Sequence, residues 1–90
     1  MAKVKRWTVD VYIDEHAEER RTYAEARLHT GDPTDVRGVG ISWRHPRDVE
    51  IPEIGDELAA ARALEDLATK LRAVVADDIA AMTSEASHGW

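Results

Sequence analysis

Ile51-Pro-Glu-Ile-Gly-Asp-Glu-Leu-Ala-Ala-Ala-Arg-Ala-Leu64 is the stretch on which the fold turns. Before it the chain alternates apolar and polar residues; after it alanine and leucine recur at helical spacing. Asp56 reads as an N-cap, and Glu57 sits where the positive end of a helix dipole favours an acid. On a 100° wheel Ala60, Leu64, Leu67, Leu71, Val74, Val75 and Met82 share one stripe, with Ala61, Ala68 and Ile79 at its margin. Arg62, Glu65, Asp66, Thr69, Lys70 and Asp77 fall opposite, which describes an amphipathic helix laid on a sheet. Arg62 with Asp66 and Asp66 with Lys70 stand at i,i+4, each worth about 0.3 kcal/mol on an exposed face.

Upstream, Trp7, Val9, Val11 and Ile13 alternate with Thr8, Asp10, Tyr12 and Asp14, the period of a half-buried strand. Residues 14–20 are charged and unpatterned and read as a hairpin loop. A second strand follows, with Thr22, Ala24, Ala26 and Leu28 on one side and Tyr23, Glu25, Arg27 and His29 on the other. Gly31 and Pro33 then mark a turn. Val36 to Arg44 forms a third strand whose facing is open. Hydrophobicity turns Val39, Ile41 and Trp43 inward, whereas shape turns Gly38 and Gly40 inward so that a helix backbone can approach. The small inner residues of the second strand and of the helix favour the second arrangement. Val39, Ile41 and Trp43 would then join Tyr12 and Tyr23 in an exposed apolar strip.

The expected architecture is α+β: a three-stranded antiparallel sheet, β-β-β-α in order, packed against one long C-terminal helix. Ninety residues make one domain, 1–90, near the size at which a single core barely suffices and a second copy often supplies burial. About 26 helical residues span about 39 Å, against about 30 Å for a nine-residue strand. The helix therefore overhangs, leaving Val75, Ile79 and Met82 in need of another surface. The ordered core is expected over about 4–82, with residues 83–90 as a mobile tail.

The 17-residue segment beginning Pro52-Glu-Ile-Gly-Asp and ending at Ala68 resembles a family of small actinobacterial proteins known as domain of unknown function 1876. The Gly38-Val-Gly40 strand, His45-Pro-Arg-Asp48 and Trp7-x-Val-x-Val-x-Ile13 carry the same resemblance, from about Trp7 to Ile79. It implies a fold similar to the double-stranded-RNA-binding domain, and it implies no activity.

The chain has no cysteine, which removes disulfides, thiolate metal sites and cysteine nucleophiles. Its opening is basic without the apolar run of a signal peptide, and no stretch approaches the roughly 20 apolar residues of a membrane helix. A cytoplasmic setting is expected. The net charge of −6 is uneven, because residues 1–45 hold eight Lys/Arg and eight Asp/Glu whereas residues 46–90 hold four and ten. That excess repels polyanions. An RNA reader of this outline needs a basic helix start; here Glu50, Glu53, Asp56 and Glu57 stand there instead.

His16, His29, His45 and His88 lack metal-ligand spacing and read as surface residues, although a regular hairpin would bring His29 toward His45. No nucleophile elbow or phosphate loop is present, so no catalytic, cofactor or metal residue is assigned. Asp78 falls within the apolar stripe, where it reaches water or an arginine across an interface. The reading is a non-enzymatic interaction module that self-associates through Val39, Ile41 and Trp43 or through Val75, Ile79 and Met82. The alternative is an RNA-binding or ribosome-associated protein using the arginines of the strand layer.

Overall fold

A computed structural model describes residues 2–32, 35–45 and 51–88, with side chains as far as Thr83. Strands β1 (Thr8–His16), β2 (Arg21–His29) and β3 (Arg37–Trp43) form one antiparallel sheet in that order, and α1 (Pro52–His88) crosses one face. This is the expected α+β layout.

β1 runs further than its hydrophobic alternation. Asp14, Glu15 and His16 pair with Tyr23, Thr22 and Arg21, so the expected seven-residue loop shrinks to a 3-10 turn at Ala17–Glu19 followed by Arg20. Charged residues are tolerated there because β1 is an edge strand, and the ladder satisfies backbone groups whatever the side chain. Arg20 closes the turn in the left-handed region, at φ 53. The second connection includes Gly31 at φ 88, the positive torsion its glycine permits.

Residues opposite one another in a ladder share a face. Ala24 faces Gly40, Ala26 faces Gly38 and Thr22 faces Ser42, and all six are buried beneath α1. The glycine-in arrangement is therefore the one adopted. A methyl group at Gly38 would overlap the carbonyl oxygen of Ala63 and the N–H nitrogen of Leu67; one at Gly40 would overlap Ala59 and Ala63 backbone atoms. Strand and helix backbones thus touch directly. The core between them is Ala24, Ala26, Leu28, Ala59, Ala63 and Leu67, with Val36 and Leu71 packed at its margin.

The helix departs from expectation in three ways. It begins at Pro52, so Asp56 and Glu57 lie in its second turn and Asp56 is not the cap. Proline suits the first helical position because its missing N–H has no partner there anyway. The N–H of Ile54 bonds the carbonyl of Ile51 at 3.1 Å, closing the first turn one step upstream. The helix also continues past Thr83, whose hydroxyl donates to the Ile79 carbonyl, to His88. The tail expected from 83 is therefore helical in backbone through 88, in keeping with the helix-forming run of alanines before it.

Finally, the sheet-facing side is Gly55, Ala59, Ala63 and Leu67, at strict i,i+4 spacing, and not the bulkier stripe through Ala60 and Leu64. Leu64 is exposed. Contact between backbones selects the smallest residues, and a hydrophobicity wheel weights the largest. Arg62 and Asp66, expected on the wet side, flank that contact and reach the open edge of β3. Arg62 Nη1 donates to the Ile41 carbonyl at 2.7 Å, and the Val39 N–H donates to Asp66 Oδ2 at 2.8 Å. The helix thereby satisfies strand groups that would otherwise face solvent or a neighbouring chain.

Candidate functional site

Thirty-seven helical residues span about 55 Å at 1.5 Å each, and the molecule measures 64 × 32 × 19 Å. Its radius of gyration is 18.2 Å, whereas a compact 90-residue domain has about 12 Å. The excess is the overhang of α1 beyond the sheet end formed by Thr8, His29 and Arg37.

Side chains on that overhang are apolar and uncovered. Val75 is 53% exposed, Ile79 59% and Met82 70%, with Val74 also bare. Because Arg62 and Asp66 turn toward β3, the opposite flank, which carries Leu64, Val75 and Met82, turns toward the β1 side. There Val9, Val11 and Ile13 point to the helix face of the sheet, opposite Leu28, Ala26 and Ala24, yet they remain exposed. The helix covers β2 and β3 and leaves β1 bare. An apolar trough between α1 and β1 therefore runs on into the apolar overhang, the kind of contiguous patch that marks an association surface.

The outer sheet face differs. Trp43 is 65% exposed, Val39 is exposed and Ile41 half-buried, as the glycine-in register requires. Guanidinium groups lie over two of its aromatic rings: Arg21 is 5.6 Å from the Trp43 centroid and Arg27 is 4.6 Å from that of Tyr12. The same arginines are engaged by acids. Arg21 pairs with Glu19, Arg27 with Glu25 at 2.7 Å, and Arg37 with both Glu25 and Asp35. The Arg27 hydrogen bond is the main reason the Glu25 carboxyl is held below its ordinary value, and it raises Arg27 in turn. Asp66 is likewise held low, first by the Val39 N–H and next by Lys70 at 2.9 Å. No equivalent bond joins Arg62 to Asp66; each has gone to the strand instead.

His29 pairs with Asp10 and His16 with Asp14. The antiparallel ladder sets Trp43 opposite Arg21, so His45 lies at the other end of the sheet from His29 and the two do not meet. Among the described residues no three His, Asp or Glu side chains gather to hold a metal, and no helix is long and apolar enough to cross a membrane. Asp78 is exposed on the overhang. Of the residues assigned to a surface, Val75, Ile79 and Met82 lie together on the overhang, and Val39, Ile41 and Trp43 lie together on the outer sheet face. Val9, Val11 and Ile13 were missed as surface residues; their alternation reads as core, and only the lateral position of the helix leaves them open.

Fold and surface define a small β-β-β-α protein whose dominant feature is an uncovered apolar helix flank. The chain belongs to the Rv2632c-like family, whose model matches residues 5–88. It is 46% identical over 85 residues to the uncharacterized protein Rv2632c of Mycobacterium tuberculosis, covering 94% of this chain and 88% of that one. It is 45% identical over 82 residues to the uncharacterized protein Mb1767 of Mycobacterium bovis, covering 91% and 84%. The crystal structure of Rv2632c superposes with a TM-score of 0.80 at 44% identity, covering 91% of this chain and 94% of that one.

Proposed function

We propose that this protein is a cytoplasmic, non-enzymatic interaction module that works as a homodimer. The observation carrying this reading is the overhang, where Val75, Ile79 and Met82 stand bare on a helix that extends well past its own sheet. Burying such a side chain fully is worth about 1.5–3 kcal/mol, so a chain with a thin, alanine-built core gains much from covering them. A second copy provides a matching occupant. Two overhangs laid antiparallel cover one another, and each continues over the bare Val9, Val11 and Ile13 of its partner. The arrangement is isologous, so it closes after two copies and propagates no further.

The outer face with Val39, Ile41 and Trp43 is the weaker docking surface, since arginines already contact its Trp43 and Tyr12 rings and are themselves paired with acids. A strand-layer RNA site has less support, because those arginines are neutralised within the face and the helix start is acidic. The reading is tested by the mass of the protein in solution as a function of concentration, with Ile79→Asp as the variant that removes the contact.

A further inference from the structure

Asp78 stands where a dimer built on the overhang cannot leave it unpaired. It falls within the apolar stripe of α1, between Val74 and Met82, and is exposed because the overhang is bare. Covering Val75, Ile79 and Met82 covers this carboxylate with them. An ionised carboxylate taken out of water is strongly destabilising unless a cation meets it.

We propose that residues 2–7 of one copy close over the overhang of the other, with Lys3 and Lys5 supplying the counter-charge for Asp78 of the second copy and Trp7 lying on its apolar flank. The inference rests on the dimer proposed above and specifies what seals it.

Position favours this arm. It joins β1 at Thr8, at the end of the sheet beyond which α1 overhangs. Six residues in extended form reach about 20 Å, and α1 rises about 16 Å from Leu71, at the margin of the core, to Met82. Arm and overhang thus have the same reach. Alternation puts Val9, Val11 and Ile13 on the helix side of β1; carried on through the arm, it puts Trp7, Lys5 and Lys3 on that side as well.

Charge favours it too. Residues 2–7 hold Lys3, Lys5 and Arg6 and no acid, whereas the second half of the chain carries the acidic excess. The arm lies outside the ladder and is exposed, with Val4 at 92% and Trp7 at 55%. No ion pair or hydrogen bond engages Lys3, Lys5 or Asp78 among the described residues. Other cations near that end are committed: Arg37 to Glu25 and Asp35, His29 to Asp10, and Lys70 to Asp66. Arg72 stands about 120° round the helix from Asp78. In the single chain arm and overhang remain apart. Two overhangs laid antiparallel set each arm beside the other copy's helix, so each copy gives one arm and receives one.

The test is a charge swap on the full chain, read by sedimentation velocity. Lys3→Glu with Lys5→Glu, and separately Asp78→Lys, should each weaken the dimer about tenfold, with circular dichroism unchanged because these positions are exposed. Raising salt from about 50 to about 500 mM should also weaken the wild-type dimer. Mixed in equal amounts, the two variants should associate about as tightly as wild type, since each reversed group then meets its opposite across the interface. Pairing within one chain predicts no rescue, because every chain in the mixture keeps its own like charges. A wild-type chain that stays monomeric sinks the dimer and this inference together. A wild-type dimer with either variant at full strength, or a mixture that stays monomeric, overturns this inference alone. So does rescue of Asp78→Lys by Arg72→Glu in place of the arm variant.

Discussion

The Asp66 carboxylate accepts the backbone N–H of Val39 at 2.8 Å, so a helix side chain caps the free edge of the strand beneath it. One turn earlier Arg62 bonds the Ile41 carbonyl in the same manner. The pair blunts one edge of a small sheet and fixes the helix laterally over β2 and β3. By holding α1 to that side, it also leaves β1 uncovered.

Acid should therefore loosen the protein through Asp66 and Glu25. Both carboxyls are held below their ordinary values when folded, by the Val39 N–H and then Lys70 for Asp66, and chiefly by Arg27 for Glu25. A depressed folded pKa adds stability that is fully present above the unfolded value, near 4, and is lost as pH falls through the lower folded value. Thermal midpoints followed by circular dichroism should stay level from pH 7 to about 5 and decline below that. Asp66→Asn keeps an acceptor for Val39 but cannot titrate, so its decline should be shallower; an unchanged slope would refute the role given to Asp66.

The two strand glycines should be far less replaceable than the helix glycine. Gly38→Ala and Gly40→Ala drive a methyl into helix backbone, which cannot rotate away, at a cost of about 3 kcal/mol each. Gly55→Ala meets only the side chains of Thr22, at 3.1 Å, and Ser42, at 3.7 Å, and gains about 1 kcal/mol of helix propensity, so its net effect should be small. Urea unfolding of the three variants measures the contrast, and equal losses would contradict direct backbone contact.

Element type and order were legible because alternation and helical spacing are strong signals in this chain. The inner face of β3 was legible for a different reason: glycines at 38 and 40 matched alanines at 24 and 26, and size matching identified the close approach. The same logic applied to the helix would have found Ala59 and Ala63. Hydrophobicity passed over them because alanine scores weakly and Leu64 strongly. The engagement of Arg62 and Asp66 with β3 carries no local signature, since i,i+4 charges look alike on any helix. Nor does alternation in β1 reveal that the helix sits to one side. The helix start was misplaced by five residues, from 57 to Pro52, because Asp56 resembles a cap and Pro52 resembles loop punctuation, although proline is also a common first helical residue.

Duplex RNA gives a separate check. Arg21, Arg27 and Arg37 are paired with acids, and the helix start is acidic. Electrostatic binding should therefore be negligible even at about 50 mM salt, where counterion release favours it most. Fluorescence anisotropy of a labelled duplex should not rise with added protein; a rise that collapses with salt would return the arginines to a recognition role.

Self-association is the central claim, and sedimentation velocity over a wide concentration range tests it most directly. The account predicts a shift from one to two copies as concentration rises, with no larger species. Ile79→Asp should abolish the shift while leaving helix content and the thermal midpoint of the protomer intact. A single-copy mass at the highest concentration, or a dimer that persists in Ile79→Asp, would contradict it.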